Sequence, residues 1–357
     1  NSTQGSKERI GQLMRFRGKK QEMVAEAGPG EIVGVAKLSG FKSFDTFSEG
    51  SNSIVYPAPA IPEAALSFSI APKVKGTEDK LGNAISKIMD EDPTLRVFRD
   101  TETSETIISG MGDVHLDVAI AKFRDKFGVE VVRGIPKIAY KETILAQAEA
   151  EGKHKKQTGG RGQYGHCFLR VQPLPRGSGF EFVDEIFGGA IPRQYVPSVE
   201  KGVREAMARG VLAGYPIVDI KVTVYDGSFH PVDSSDIAFQ LAGILALQKA
   251  VQSAKPVLLE PIMNVEVMVP QEFVGDTMGT INAKRGRVLE MTAHGNNQVI
   301  KAQVPLAEMS NYATELRSLT SGRGTYTMSF SHYEEVPAHL AEKIIEAKKA
   351  EKEMVKT

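Results

Sequence analysis

Two stretches of this 357-residue chain repeat one order of hydrophobic patterns, and that order leaves few folds open. Residues 66–71 alternate as a strand. A helix period follows with Leu81, Ile85, Ile88 and Met89 on one face and Thr77 as its cap. Asp92-Pro93 stops it, because the residue before a proline is pushed out of the helical region. Strands are predicted at 95–100 and 106–109. A second helix carries Leu116, Ile120, Phe123 and Phe127 and ends at Gly128, and a last strand covers 129–132. The order βαββαβ is that of a ferredoxin-like plait. It returns near the C-terminus as a strand at 262–269, a helix marked by Val274, Met278 and Ile281, and strands at 288–293 and 299–304. A helix with Met309, Tyr312, Ala313 and Leu316 and a strand at 325–330 complete it.

A middle unit at about 138–258 separates the two plaits, and the predicted class is α+β and multidomain. This unit holds a glycine-rich segment, a helix at 197–208, a strand at 217–225 and a helix capped near Asp233 and Ser234. That helix carries Ile237, Leu241, Ile244 and Leu245. Ahead of the first plait, short strand-like runs at 10–16, 23–25 and 31–36 surround the turn Gly28-Pro29-Gly30. Fifty residues are few for a closed barrel, so this segment reads as the end of a β-domain that begins before Asn1. Residues 1–5 look like an artificial start. A stiff, proline-rich linker spans 56–62, and a charged helix is expected after Pro337.

Lysine plus arginine and aspartate plus glutamate both total 44, so any nucleic-acid contact must come from local patches. One cysteine, Cys167, excludes an internal disulfide framework and a cysteine-based zinc site. Its strand position makes it a small core residue. No run approaches the roughly 18 apolar residues of a membrane span, and no signal peptide is recognisable.

Residues 153–166, Lys-His-Lys-Lys-Gln-Thr-Gly-Gly-Arg-Gly-Gln-Tyr-Gly-His, are the candidate site. Gly159, Gly160, Gly162 and Gly165 disfavour a helix and free the segment to form a long, bent loop. Lys153, Lys155, Lys156 and Arg161 place cations on it, with His154, Gln157, Gln163 and Tyr164 between them. The following residues alternate as a strand with Cys167, Leu169 and Val171 on one face. A basic, glycine-jointed loop on a β-scaffold suits phosphate-rich RNA, and a merely solvated surface loop is the competing reading. Gly160 to Gly165 formally match GxGxxG but open a strand, not a helix, and no kinase motifs follow. The phosphate-loop pattern fails because His166 and Cys167 stand where Lys and Ser/Thr are required. A second polar loop, 226–235, carries His230 before Pro231, which suits either an exposed imidazole for RNA or a satisfied turn histidine. His115 at a helix start reads as structural. Asp276 to Gly279 match DxxG only by chance, inside a helix. No hydrolytic set or metal-ligand spacing is evident, so neither a catalytic nor a metal site is predicted.

The 152–166 segment, Leu212-Ala-Gly-Tyr-Pro216, Val232-Asp-Ser-Ser235 and Lys255 to Pro261 closely resemble the fourth domain of the bacterial translation elongation factor G family. Thr106 to Leu116 is similar to its third domain. Gly286-Arg287, Pro305 to Met309, Tyr312 to Thr320 and Gly322 to Gly324 are similar to its fifth. The resemblance runs over essentially the whole chain. It implies the end of a β-barrel domain II at 1–57, a ferredoxin-like domain III at 58–137 and a ribosomal-protein-S5-like domain IV at 138–258. Tip loops would lie at 153–166 and 226–235, a ferredoxin-like domain V at 259–336 and a C-terminal helix at 337–357. It implies a cytoplasmic, monomeric protein working on the ribosome, touching ribosomal RNA, ribosomal proteins and the tRNA–mRNA pair through the tip. GTP and magnesium would belong to a GTPase domain ahead of Asn1, leaving no cofactor in this chain. Pro231 after His230, Gly112-Asp-Val-His115 and the linker at 41–62 depart from the usual family pattern. A paralogue with a recycling or ribosomal-protection role, and a free-standing RNA-binding protein, stay open.

Overall fold

The computed structural model describes residues 1–38, 40–49, 54–61, 64–157 and 162–354. The chain divides into two compact units, Asn1–Pro136 and Lys137–Thr357.

The first unit opens with a small sheet of β1 (Leu13–Arg17), β2 (Lys20–Val24) and β3 (Gly34–Val35), in the order β2-β1-β3. Phe16, Met23 and Ile32 in this segment stand exposed. The plait then runs β4 (Leu66–Pro72), α1 (Glu78–Glu91), β5 (Arg96–Arg99), β6 (Thr106–Gly110), α2 (Asp113–Phe127) and β7 (Val131–Gly134). Its sheet order, β5-β6-β4-β7, is that of a ferredoxin-like fold. Ile70, Leu81, Ile88, Ile108, Leu116 and Phe123 form its buried centre. Gly128 ends α2 in the left-handed region, where glycine has no Cβ penalty. Thr77 precedes α1 but does not cap it. Its backbone is not extended, and its hydroxyl donates back to the Val74 carbonyl at 2.7 Å. His115 is structural: Nδ1 accepts from the Met111 amide at 3.0 Å, and Nε2 lies 2.9 Å from the Asp92 carboxylate.

The second unit runs β8 (Lys141–Ile144), β9 (Ala148–Lys156), β10 (Gln163–Pro173), β11 (Phe180–Asp184), α3 (Val196–Arg209), β12 (Ile220–Ser228) and α4 (Asp236–Ser253). It continues through β13 (Pro256–Pro270), α5 (Val274–Ala283), β14 (Arg287–His294), β15 (Asn297–Pro305), α6 (Tyr312–Leu319), β16 (Thr325–Glu335) and α7 (Ala338–Met354). The middle sheet has the order β11-β12-β10-β9, with β11 parallel to β12 and the other pairs antiparallel. Cys167, Leu169, Val171, Val222 and Val224 pack with Val199, Val203, Phe239, Ala246 and Leu247 of α3 and α4 in one core. Burial pushes the Cys167 thiol up to about 12, so it is inert at neutral pH.

Two expectations about α4 change. Its cap is Ser235, whose Oγ accepts from the Ala238 amide, so the helix starts a residue or two later than the Asp233/Ser234 reading. Its buried face is Ala238, Phe239, Ala242, Gly243, Ala246, Leu247 and Ala250, whereas Ile237 is exposed. The small residues win because α4 crosses glycines of the sheet at backbone distance. A Cβ on Gly152 or Gly165 would fall onto the carbonyl oxygens of Ala242 or Ala238.

The C-terminal plait repeats the order of the first, β14-β15-β13-β16. Its first strand is longer than the predicted 262–269. Residues 256–259 of β13 pair with β8, and 262–270 pair with β15. The expected 258/259 domain boundary therefore falls inside one continuous strand, which runs from the end of α4 straight into the plait.

A buried carboxylate sets the loop between α3 and β12. Glu142 Oε1 accepts from the amides of Ala213, Gly214 and Tyr215 at 2.8, 2.8 and 3.0 Å, and Oε2 from Val211 and Leu212 at 2.7 and 2.8 Å. Helix α7 lays Leu340, Ala341, Ile344 and Ile345 over the cluster that includes Leu212, Ala213 and Tyr215.

Candidate nucleic-acid interface

The 153–166 segment is mostly strand, not loop. Lys153 to Lys156 lie on β9 and Gln163 to His166 on β10, in register as Lys156↔Gln163, Lys155↔Tyr164, His154↔Gly165 and Lys153↔His166. Gly165 sits in the ladder, where it gives α4 room, and cross-strand pairing fixes the arm that its flexibility alone would leave loose. Gly159, Gly160 and Arg161 lie outside the described residues. Lys153, Lys155, Lys156 and Gln157 are exposed, and the three lysines make no ion pair with a described residue. His154 Nε2 is 2.9 Å from Gln163 Oε1, an exposed cross-strand contact.

The second loop is stapled to this hairpin. The Tyr164 amide donates to the Asp233 carbonyl at 2.9 Å, and the Ser234 hydroxyl donates to the Tyr164 carbonyl at 3.0 Å. Asp233 Oδ1 accepts from the Gly162 amide at 3.0 Å, and a Cβ on Gly162 would collide with that carboxylate. The same Ser234 Oγ accepts from the His230 amide at 2.9 Å, which closes the turn carrying the imidazole. His230 Nδ1 faces the amides of Val232 and Asp233 at 3.3 and 3.2 Å. As an acceptor there it leaves Nε2 as the donor, on a side chain 52% exposed. Asp233 Oδ2 is 3.4 Å from Nδ1, a carboxylate neighbour that sequence reading of His230 missed.

Sequence reading also missed Ser228, whose Oγ lies 2.8 Å from the Tyr164 hydroxyl and 2.7 Å from His166 Nδ1. Tyr164 is thus held at both its backbone and its hydroxyl, and its ring lies 6.4 Å from that of His230, centroid to centroid. The Val232-Asp-Ser-Ser235 run was the available signal for Asp233 and Ser234, but its polar side chains read equally well as a helix cap. Among the described residues no group of three or more His, Cys, Asp or Glu side chains could hold a metal, and no helix is long and apolar enough to cross a membrane. The DxxG match at Asp276 lies inside α5.

Two ferredoxin-like plaits on either side of an S5-like domain in sequence, the latter ending in a basic double-loop tip, define a multidomain α+β architecture. Comparison with known families is consistent along the chain. Elongation factor G domain 2 matches residues 1–50, domain III matches 61–134, domain IV matches 136–255 and the elongation factor G C-terminus matches 257–344. The chain belongs to the elongation factor G family. Elongation factor G of Aquifex pyrophilus is 50% identical over 346 residues, 97% of this chain and 49% of the relative. A crystal structure of a Thermus thermophilus protein superposes with a TM-score of 0.79 at 42% identity, covering 95% of this chain and 51% of that one. The chain therefore spans about half the length of the relatives it matches.

Proposed function

We propose that this chain is the ribosome-engaging part of an elongation factor G-type translational GTPase that promotes tRNA and mRNA translocation, with the stapled tip entering the decoding region. The observation that carries this reading is the tip. Two loops far apart in sequence are joined by hydrogen bonds from the Gly162 and Tyr164 amides and the Ser234 hydroxyl. Together they present Lys153, Lys155, Lys156 and a fixed imidazole outward. Lysines there meet phosphates, and His230 Nε2 offers a donor to a base edge or a 2′-hydroxyl. Family membership supports a role in protein biosynthesis on the ribosome, in the cytoplasm. In the proposal GTP and magnesium belong to a preceding domain, and the tip acts by holding the codon–anticodon duplex in place, not by acid–base chemistry.

The test is a pre-steady-state assay on the full-length factor, following mRNA movement and phosphate release in parallel. His230→Ala slows movement and leaves phosphate release near that of the parent, while His230→Gln retains more activity because an amide still donates and accepts. Equal loss of both rates would refute the division of labour. A factor that splits ribosomes or displaces a bound drug without moving mRNA would instead be a recycling or protection paralogue. On RNA alone, four tip cations (Lys153, Lys155, Lys156 and Arg161) give a salt slope of about −3 to −4. Charge reversal of Lys155, Lys156 and Arg161 flattens it, and an unchanged slope removes the loop as the contact surface.

A further inference from the structure

Ser228 is the last residue of β12, and its hydroxyl is shared by two rings whose role the tip contacts leave open. It lies opposite His166 in the β10–β12 ladder, and His166 lies opposite Lys153 in the β10–β9 ladder. Strand alternation turns Cys167 and Leu169 into the core, so Tyr164 and His166 share the other face. Gly227 fixes the approach of the strand. A Cβ there would fall 2.4 Å from the His166 carbonyl oxygen, so β12 reaches Ser228 pressed against β10.

The protons of this cluster follow from what each atom is able to do. Glu151 Oε1 lies 2.9 Å from His166 Nε2, and a carboxylate at that distance favours the tautomer with its proton on Nε2. Nδ1 then accepts, and its partner at 2.7 Å is the Ser228 hydroxyl. Ser228 has one proton and gives it to Nδ1. Toward the Tyr164 hydroxyl, 2.8 Å away, it can therefore only accept, and Tyr164 donates inward. The backbone of Tyr164 carries a link of the same kind. Its carbonyl accepts from the Ser234 hydroxyl at 3.0 Å, and Ser234 Oγ accepts from the His230 amide at 2.9 Å. From His230 to His166 every bond points the same way, and the hydroxyls of Ser234, Tyr164 and Ser228 are all committed to it. Bonds aligned in this way strengthen one another. Ladder pairing already fixes the Tyr164 backbone; the hydroxyl bond adds control of its ring, which lies 6.4 Å from that of His230.

We propose that Ser228 and His166 are positioning residues for His230, acting through the Tyr164 hydroxyl. They hold the Tyr164 side chain, and Tyr164 in turn sets where the His230 turn stands. The inference rests on the reading of His230 as a contact to the tRNA–mRNA pair, and adds the support that aims it.

Tyr164→Phe is the sharpest probe, because it keeps the ring and leaves no donor stranded. In the full-length factor it should slow mRNA movement about two- to tenfold, the rate equivalent of one neutral hydrogen bond, with phosphate release near the parent's. Ser228→Ala should act likewise, and Ser228→Thr, which keeps a hydroxyl, should restore most of the rate. A threonine variant as slow as the alanine would rule the hydroxyl out. In a His230→Ala background Tyr164→Phe should change nothing further, since its effect runs through the imidazole. If it slows movement by the same factor in both backgrounds, or leaves the parent's rate unchanged, the inference is wrong and the tip reading stands. If His230→Ala itself moves mRNA like the parent, both fall. Amide exchange in the 357-residue chain gives a readout free of the ribosome. Exchange at His230 should quicken in Tyr164→Phe while the protection of β10 and α4 holds. An unchanged His230 amide overturns the path, and a general loosening of β10 and α4 makes the hydroxyl a fold contact instead of a positioning one.

Discussion

Removing the Glu142 carboxylate should be among the most damaging single changes available to the second unit. Glu142 is fully buried and accepts from five consecutive amides, Val211 to Tyr215. Glu142→Ala leaves all five without partners. Each buried, unsatisfied N–H costs about 1–3 kcal/mol, so a simple sum would be about 5–15 kcal/mol. The loop can escape the larger figure by opening to water, which instead forfeits its packing under α7. The expected loss is therefore about 4–5 kcal/mol, at the top of the range for point substitutions. Glu142→Gln is the sharper test. Its oxygen can still serve the three amides at Oε1, but its NH2 group then faces the two donors of Val211 and Leu212. The expected loss is about 2–4 kcal/mol. Amide hydrogen exchange reads both variants locally, with protection at 211–215 falling before that of β10 or α4, and thermal unfolding reads the total. A Glu142→Ala chain that loses less than about 1 kcal/mol, with 211–215 still protected, would refute the reasoning.

Gly152→Ala and Gly165→Ala should each destabilise by about 3 kcal/mol or more in thermal unfolding, because the new methyl meets the α4 backbone and not a movable side chain. Asp233→Ala releases the Gly162 amide while the backbone and Ser234 contacts remain. It should speed exchange at Gly162 and weaken RNA binding, with a stability loss of about 1–2 kcal/mol. In the first plait, burial raises the Asp92 carboxyl, but the Thr94 hydroxyl and amide and His115 outweigh it and hold it below its ordinary value of 3.8. A group depressed on folding stabilises above its unfolded pKa and loses that contribution as pH falls through the folded value. The melting difference between the parent and Asp92→Asn should therefore be present at pH 7 and shrink below about pH 4.

The sequence by itself determined the succession of elements, since hydrophobic period and helix stops are local signals. Both βαββαβ runs, the stop at Asp92-Pro93, the inward face of Cys167, Leu169 and Val171 and the end of α2 at Gly128 follow from residues a few positions apart. Long motifs in the right order carried the family as well. What only the tertiary structure decided depends on residues distant in sequence. Gly165 reads as a loop former because a glycine's flexibility is visible in sequence, whereas the α4 carbonyls pressing on it and on Gly152 are not. Ile237 was expected inside because it is apolar, but the buried face of α4 is the neighbouring one, where Ala238 and Ala242 lie against strand glycines and Phe239 and Leu247 fill the core. Glu142 carries no mark of its partners, which arrive about 70 residues later. The staple between Tyr164 and Asp233–Ser234 is equally invisible, because a hydrogen bond across such a separation leaves no pattern in either segment. Local chemistry chose the elements, and packing between them chose which side chains meet at the tip.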